Sequence, residues 1–381
     1  MKIAVLTRRA GFNMGSTLQA YAMFKMLNKL GHDVKILNYD EYACFFMWRV
    51  KPFVFKTLKR IPLIPRISFI KKRFPLERIF AQQAKFEQFE ARYFPLTEKK
   101  YRNSQELKET LGSYDAYVCG SDQIWSPMMF DPTFFLDFAT GQPGIKTVAY
   151  APSLGVTSVE SLSKDAVALI KRISHISCRE KEGANVLSEI VGHPVPTVLD
   201  PTLMLSKEDW DAVKSRESLT NKKDYILTYF LHTRSYKDNI PHHFINMLKK
   251  QTGLDVVNIQ MYNMEEIIAA DEQIYNAGPA DFITLISKSK YVVTNSFHCC
   301  VFSSIFSKRF FVFEKYRKNS DIDNQNPRLY NLLETVNRKE ALIKDENAPI
   351  DLSFYPAKDK RMESFTKKRD ISMEFIKHSL L

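Results

Sequence analysis

Short apolar runs of strand length alternate with segments of helical period along most of this 381-residue chain. Such alternation predicts parallel strands joined by crossover helices, with helices covering both sheet faces. A first series places strands at 1–7, 34–37, 116–119, 147–151, 176–178 and 197–199, with a helix over 16–30 that Gly31 caps. Asp200-Pro201 closes that half. A second series reads strand 225–231, helix 241–251, strand 256–259, helix 280–287, strand 291–294, helix 298–306 and strand 310–313. One further helix over about 358–378 carries Met362, Phe365, Ile371, Phe375 and Ile376 as its apolar positions. The expected fold class is therefore α/β, with two Rossmann-like domains: 1–205, which holds an insertion at about 42–76, and 206–355. Residues 356–381 form a helix that packs back.

Apolar residues make up 45% of the chain and aromatics 13%, which excludes disordered, collagen-like and coiled-coil classes. No window approaches the ~18 apolar residues of a membrane-spanning helix, and the N-terminal run is too short for a signal segment, so a cytoplasmic protein is expected. Five cysteines, Cys44, Cys119, Cys178, Cys299 and Cys300, match neither a zinc-ligand nor a redox spacing. They read as buried thiols, with no metal implied.

The net charge of +12 is concentrated early. Between Tyr42 and Leu76 lie nine basic residues and no acidic one, interleaved with Phe45, Phe46, Trp48, Phe53, Phe55 and Phe69. That mixture suits an anionic membrane surface or phosphates. A solvated insertion whose aromatics join the core is the structural alternative. Nothing resembling a nucleic-acid module accompanies the charge, so no nucleic-acid partner is expected.

Four stretches fall at predicted strand ends, where open α/β sheets present side chains to ligands. The loop Gly11-Phe12-Asn13-Met14-Gly15-Ser16 leads into the first helix, on which Gln19 lies. Gly120-Ser121-Asp122-Gln123-Ile124-Trp125 offers close backbone approach and polar side chains, or else simply an Asx-type turn. In Ser177-Cys178-Arg179-Glu180 the arginine can grip a carboxylate or phosphate bidentately, or pair structurally with Glu180 or Glu182. Thr294-Asn295-Ser296-Phe297-His298 brings a histidine to a helix start, where the dipole favours a bound anion. A histidine beside an anion can serve as a proton donor.

These blocks, together with Leu18-Gln19-Ala20-Tyr21-Ala22, Val198-Leu199-Asp200-Pro201-Thr202-Leu203 and Arg328 ahead of Leu332-Leu333, resemble the polysaccharide pyruvyl transferase family. The resemblance implies a glycosyltransferase-B-like pair of Rossmann-like domains. It implies transfer of a pyruvyl group from phosphoenolpyruvate to two hydroxyls of a saccharide acceptor, free or lipid-linked, to form a ketal in surface or capsular polysaccharide biosynthesis. No cofactor is implied. On this reading His298 is the general acid and Asp122 the available base, while Arg179 and Arg328 hold the donor's phosphate and carboxylate. Asn295 and Ser296 lie on the donor side. The acceptor side is lined by Asn13, Gly15, Gln19, Ser121 and Gln123. Where many members carry Arg-Leu-His, this chain has Ser296-Phe297-His298, so that charge must come from Arg179, Arg328 or Arg338. A lipid-linked acceptor would place the enzyme at the inner face of the membrane. The alternatives are a nucleotide-sugar glycosyltransferase on the same scaffold and a non-catalytic membrane-associated binding protein.

Overall fold

The computed structural model describes residues 1–9, 13–41, 76–231, 241–260, 268–314, 326–345, 347, 349–352 and 358–381. The basic aromatic stretch up to residue 75, Cys44 and Gly11-Phe12 lie outside these residues. The first lobe is a six-stranded parallel sheet of β1 (Lys2–Leu6), β2 (Asp33–Tyr39), β3 (Leu96–Tyr101), β4 (Ala116–Cys119), β5 (Lys146–Ala149) and β6 (His175–Ile176), in the order β3-β2-β1-β4-β5-β6. The second is a five-stranded parallel sheet of β7 (Tyr225–Tyr229), β8 (Asp255–Ile259), β9 (Glu272–Ile274), β10 (Tyr291–Thr294) and β11 (Arg309–Val312), in the order β11-β10-β7-β8-β9. The longer helices are α1 (Met14–Lys29), α2 (Leu76–Tyr93), α3 (Lys164–Ile170), α4 (Lys181–Val191), α5 (His242–Thr252), α6 (Pro279–Lys288), α7 (Phe297–Ile305), α8 (Asn326–Thr335) and α9 (Lys358–Leu380).

The inner strands are buried on both faces, which is why they read as continuous apolar runs rather than alternating ones. Edge strand β3 does not: its LTEKKY sequence has Glu98, Lys99 and Lys100 in solvent. The strands expected at 176–178 and 197–199 are reduced to a two-residue β6 and a single parallel bridge between Cys178 and Thr197. The chain there turns out of the ladder, because Asp200 caps the short helix Pro201–Met204. Proline at its first position fixes that start.

The lobes share one apolar core. An aromatic chain crosses it: Tyr21 on α1 lies 5.6 Å from Trp210, whose ring meets Phe302 of α7 edge-on at 4.8 Å. Each such contact contributes roughly 0.5–1.5 kcal/mol beyond the area it buries. From the first lobe, α2 reaches across to α6. Gln82 donates to the Ala277 carbonyl at 3.1 Å, and Lys85 lies 3.5 Å from Asp281. In the other direction α9 returns to the first lobe, where Ser372 Oγ accepts from the Leu199 amide at 2.8 Å. Phe375 of α9 packs against Tyr150 there, with ring centroids 6.3 Å apart.

Strand order sets where a ligand can sit. In each sheet the chain steps outward from β1 or β7 to one edge and then returns to build out from that strand's other side. Crevices open at the carboxyl ends of strands at such switch points. The loops leaving β1, β4 and β10 meet across the lobes at one place.

Candidate active site

The site is built from two helix starts that face each other. Asn13 caps α1, its Oδ1 accepting from the amides of Gly15 and Ser16 at 3.0 and 3.3 Å. Ser296 caps α7 by accepting from the Cys299 amide. His298, second residue of α7, lies against Gly15: a Cβ on that glycine would stand 2.1 Å from His298 Nδ1. The imidazole therefore occupies space that only a glycine leaves open. Gly15→Ala is expected to lower turnover by about 10²-fold through misplacement of the ring, with folding retained. Unchanged turnover beside an unchanged thermal melt would show that the imidazole's place does not depend on Gly15.

The opposite edge of the ring meets Asp200, with Nε2 3.6 Å from Oδ2. Asp200 was not among the residues the sequence singled out for the site, yet it is its centre. Its side chain is fully buried, and Oδ2 also receives Arg179 Nη1 at 2.9 Å and lies 3.1 Å from Ser121 Oγ. Oδ1 accepts from the Thr202 amide at 3.0 Å and from the Thr202 hydroxyl at 2.6 Å. One carboxylate thus joins the β4 loop, the Arg179 segment and α7 of the other lobe. The usable sequence signal was Asp-Pro-Thr, a helix-cap pattern at a predicted strand end.

Asp122 sits in the left-handed region, φ 65°, directly after the cis Gly120–Ser121 peptide. Gly120 itself has φ +120°, and a Cβ there would overlap the Tyr150 carbonyl oxygen at 1.9 Å, so the backbones of β4 and β5 touch where the strands end. Asp122 Oδ2 accepts from Ser16 Oγ at 2.6 Å, and Oδ1 lies 3.9 Å from Arg179 Nη2.

Burial pushes the carboxyls of Asp200 and Asp122 up, but neighbouring positive groups outweigh it. The Asp200 carboxyl is held far below the usual carboxylate range by the adjacent His298 ring, with Arg179 and the Thr202 hydroxyl adding to it. Asp122 is lowered by Arg179, His298, Ser16 and Arg328. Arg179, for its part, is raised against the pull of burial by Asp200 and Asp122. The site is a set of fixed, buried, mutually compensating charges. Arg179 Nε and Nη2, Glu180 Oε2, Gln123 Nε2 and His298 Nε2 are buried atoms with no hydrogen-bond partner among the described residues. Buried polar atoms without a partner are what a polar ligand would satisfy.

The remaining sequence-nominated residues divide by what they touch. The ring of Phe297 has Arg179 Cζ 4.5 Å and Arg328 Cζ 6.0 Å from its centroid, so both arginines flank the segment Ser296-Phe297-His298. Arg328 also lines a small cleft with Ser153, Gly155, Glu180 and Glu182. The Gln123 amide nitrogen lies against Gly155, 3.2 Å from where its Cβ would be. Glu180 pairs less with Arg179, at 3.9 Å, than with Ser153 Oγ and the Leu154 amide, at 2.9 and 3.0 Å. Gln19 and Asn295 are occupied within the protein. Gln19 Nε2 donates to Thr7 Oγ1 and the carbonyls of Arg8 and Ser16, and its Oε1 accepts from the Ser121 amide. Asn295 makes a two-way amide pair with the Leu231 backbone. Arg338 is buried, with Nη1 3.6 Å from Glu340.

The polysaccharide pyruvyl transferase family model matches residues 13–314 of this chain. The chain belongs to that family. No curated protein matches the sequence. Among solved structures, the UDP-GlcNAc 2-epimerase of Methanocaldococcus jannaschii is 13% identical with a TM-score of 0.54, over 98% of this chain and 92% of that one. The Neisseria meningitidis UDP-GlcNAc 2-epimerase, solved with UDP-GlcNAc bound, is 12% identical with a TM-score of 0.50, over 99% of each chain. At such identities the likeness concerns the fold, which is the expected glycosyltransferase-B-like pair of parallel sheets. This pyruvyl transferase family member has serine at 296, and that serine caps α7 while Arg179 and Arg328 bring positive charge to the neighbouring ring.

Proposed function

We propose that this family member transfers the pyruvyl group of phosphoenolpyruvate to two hydroxyls of a saccharide, forming a cyclic ketal and releasing inorganic phosphate. The observation that carries the reading is the imidazole of His298, seated between Gly15 and Asp200 at two converging helix starts beside Arg179. Such a place favours an anionic donor.

In this scheme His298 gives its proton to the methylene carbon of the enol phosphate. The central carbon becomes oxocarbenium-like, and a sugar hydroxyl adds to it and loses its proton. A second hydroxyl then displaces phosphate from the same carbon and closes the ring. Arg179 and Arg328 hold the donor's carboxylate and phosphate on the side where Ser296 carries no charge. Asp122 is a stable anion, so it serves best by accepting a hydrogen bond from the attacking hydroxyl. Asn13, Ser121 and Gln123 border the acceptor, while Gln19 and Asn295 hold the loops in place. Domains bounded at about 205 and 355 divide acceptor side from donor side. A lipid-linked acceptor would set the enzyme at the inner membrane face, for which the basic aromatic stretch supplies the charge.

The test is phosphate release from phosphoenolpyruvate across a panel of free and lipid-linked saccharides. Saccharide-dependent release of one phosphate per ketal formed is the expected result. Tight binding of a nucleoside diphosphate without phosphoenolpyruvate consumption would instead identify a nucleotide-sugar glycosyltransferase.

A further inference from the structure

We propose that Glu180 selects the acceptor, one of its carboxylate oxygens accepting a hydrogen bond from a single sugar hydroxyl. This deepens the reading above and rests on it. Glu180 stands at the start of α4, where a carboxylate could cap the helix, yet its side chain makes no cap bond. It turns instead to the loop that follows β5. Oε1 accepts from Ser153 Oγ and the Leu154 amide at 2.9 and 3.0 Å. A Cβ on Gly183, in the first turn of α4, would stand 3.1 Å from that same oxygen, so the carboxylate is clamped from the helix side as well. Oε2 has no hydrogen-bond partner among the described residues, and Arg179 Nε stands 3.9 Å from it. The residue is only 4% exposed, and a buried acceptor left without a partner is costly.

Chemistry decides the kind of ligand. Glu180 lines the small cleft with Ser153, Gly155 and Arg328, and that cleft has room for about one water-sized group. Gln123 Nε2, which lies against Gly155, is a second buried atom without a partner among the described residues. Beside the loop 153–155 there are thus one unmatched acceptor and one unmatched donor. A hydroxyl both gives and takes a hydrogen bond, whereas a phosphate or carboxylate oxygen would meet the Glu180 carboxylate as a like charge. Phosphoenolpyruvate has no alcohol group, so the hydroxyl is the acceptor's. Glu182 shares the cleft, but its Oε2 already accepts from Asn331 Nδ2 at 2.9 Å.

The experiment measures saccharide binding by calorimetry, and phosphate release with phosphoenolpyruvate, for the methyl glycosides of galactose, glucose and mannose and their monodeoxy forms. Glu180→Gln keeps an oxygen for Ser153 and Leu154 and puts an N–H where Oε2 stood. It is expected to weaken saccharide binding and raise the acceptor KM by about tenfold or more, with the KM for phosphoenolpyruvate and the thermal melt unchanged. One monodeoxy form should be about tenfold poorer than its parent for native protein and equal to its parent for the variant, which identifies the hydroxyl. Glu182→Gln removes charge from the same cleft but no free acceptor, and should stay within a few fold of native. If Glu180→Gln melts early, Ser153→Ala takes its place: it loosens the carboxylate, keeps the charge, and should raise the same KM a few fold. A variant that affects every monodeoxy form equally, or that raises the KM for phosphoenolpyruvate instead, would overturn the role of Glu180 and leave pyruvyl transfer standing. Saccharide binding that Glu180→Gln weakens, by a native protein that consumes no phosphoenolpyruvate, would uphold the site and overturn the reaction. Neither binding nor turnover by native protein would overturn both.

Discussion

Replacing His298 with alanine is expected to lower saccharide-dependent phosphate release by ~10² to 10⁴, the range of a positioned general acid. The loss should fall on kcat more than on KM, because Arg179 and the two helix starts remain to hold the donor. The geometry makes the variant clean. The ring contacts Gly15 on one side and Asp200 on the other, and neither backbone depends on it. His298→Gln separates proton donation from bulk, since the amide fills the slot without an acidic proton, and it should be as slow as alanine. Turnover within a few fold of native in both variants would remove His298 from the chemistry.

Changing Asp200 should be felt in stability as well as rate. Its carboxylate is the shared counter-ion of Arg179 and His298 and also receives both polar groups of Thr202. Asp200→Ala leaves the Arg179 guanidinium buried without its nearest anion, a class of change that costs about 3–5 kcal/mol. Asp200→Asn keeps the shape and can still accept from Thr202, so it should fold better yet remain slow. Acid titration supplies a second readout. The folded-state pKa of Asp200 is depressed, so its contribution is fully present above the unfolded carboxyl pKa of about 3.9 and is lost as pH falls below it. Native stability should therefore decline on acidification below about pH 4, and the asparagine variant should show a shallower decline. Equal slopes in denaturant melts across that range would mean that the folded protein does not hold the Asp200 carboxyl below its unfolded value.

These two residues also mark how far the sequence could be read. His298 was legible because a strand, a polar turn and a helix succeed one another within a few residues, and local periodicity finds such a place. The strands Ala116–Cys119 and Tyr291–Thr294 were legible for a related reason: parallel strands covered on both faces are unbroken apolar runs. Strand β3 escaped because an edge strand can carry Glu98, Lys99 and Lys100 in solvent. Strand β9, three residues long, offers no period. Asp200 escaped for a different reason. Its partners lie 21, 79 and 98 residues away, at Arg179, Ser121 and His298, and only the folded topology brings them together. Gln19 and Asn295 show the converse. A polar side chain at a strand end or a helix start looks free in sequence, yet each here is consumed in fixing a loop.

The return of α9 has a bearing on synthesis. The amide of Leu199 and the ring of Tyr150, which α9 meets, belong to a first lobe whose sheet strands end at residue 176. As the chain emerges from a ribosome, that lobe can assemble its sheet early but must wait some two hundred residues for its last packing partner. A product released before about residue 372 would therefore carry an unfinished first lobe, and a chaperone would find its foothold there.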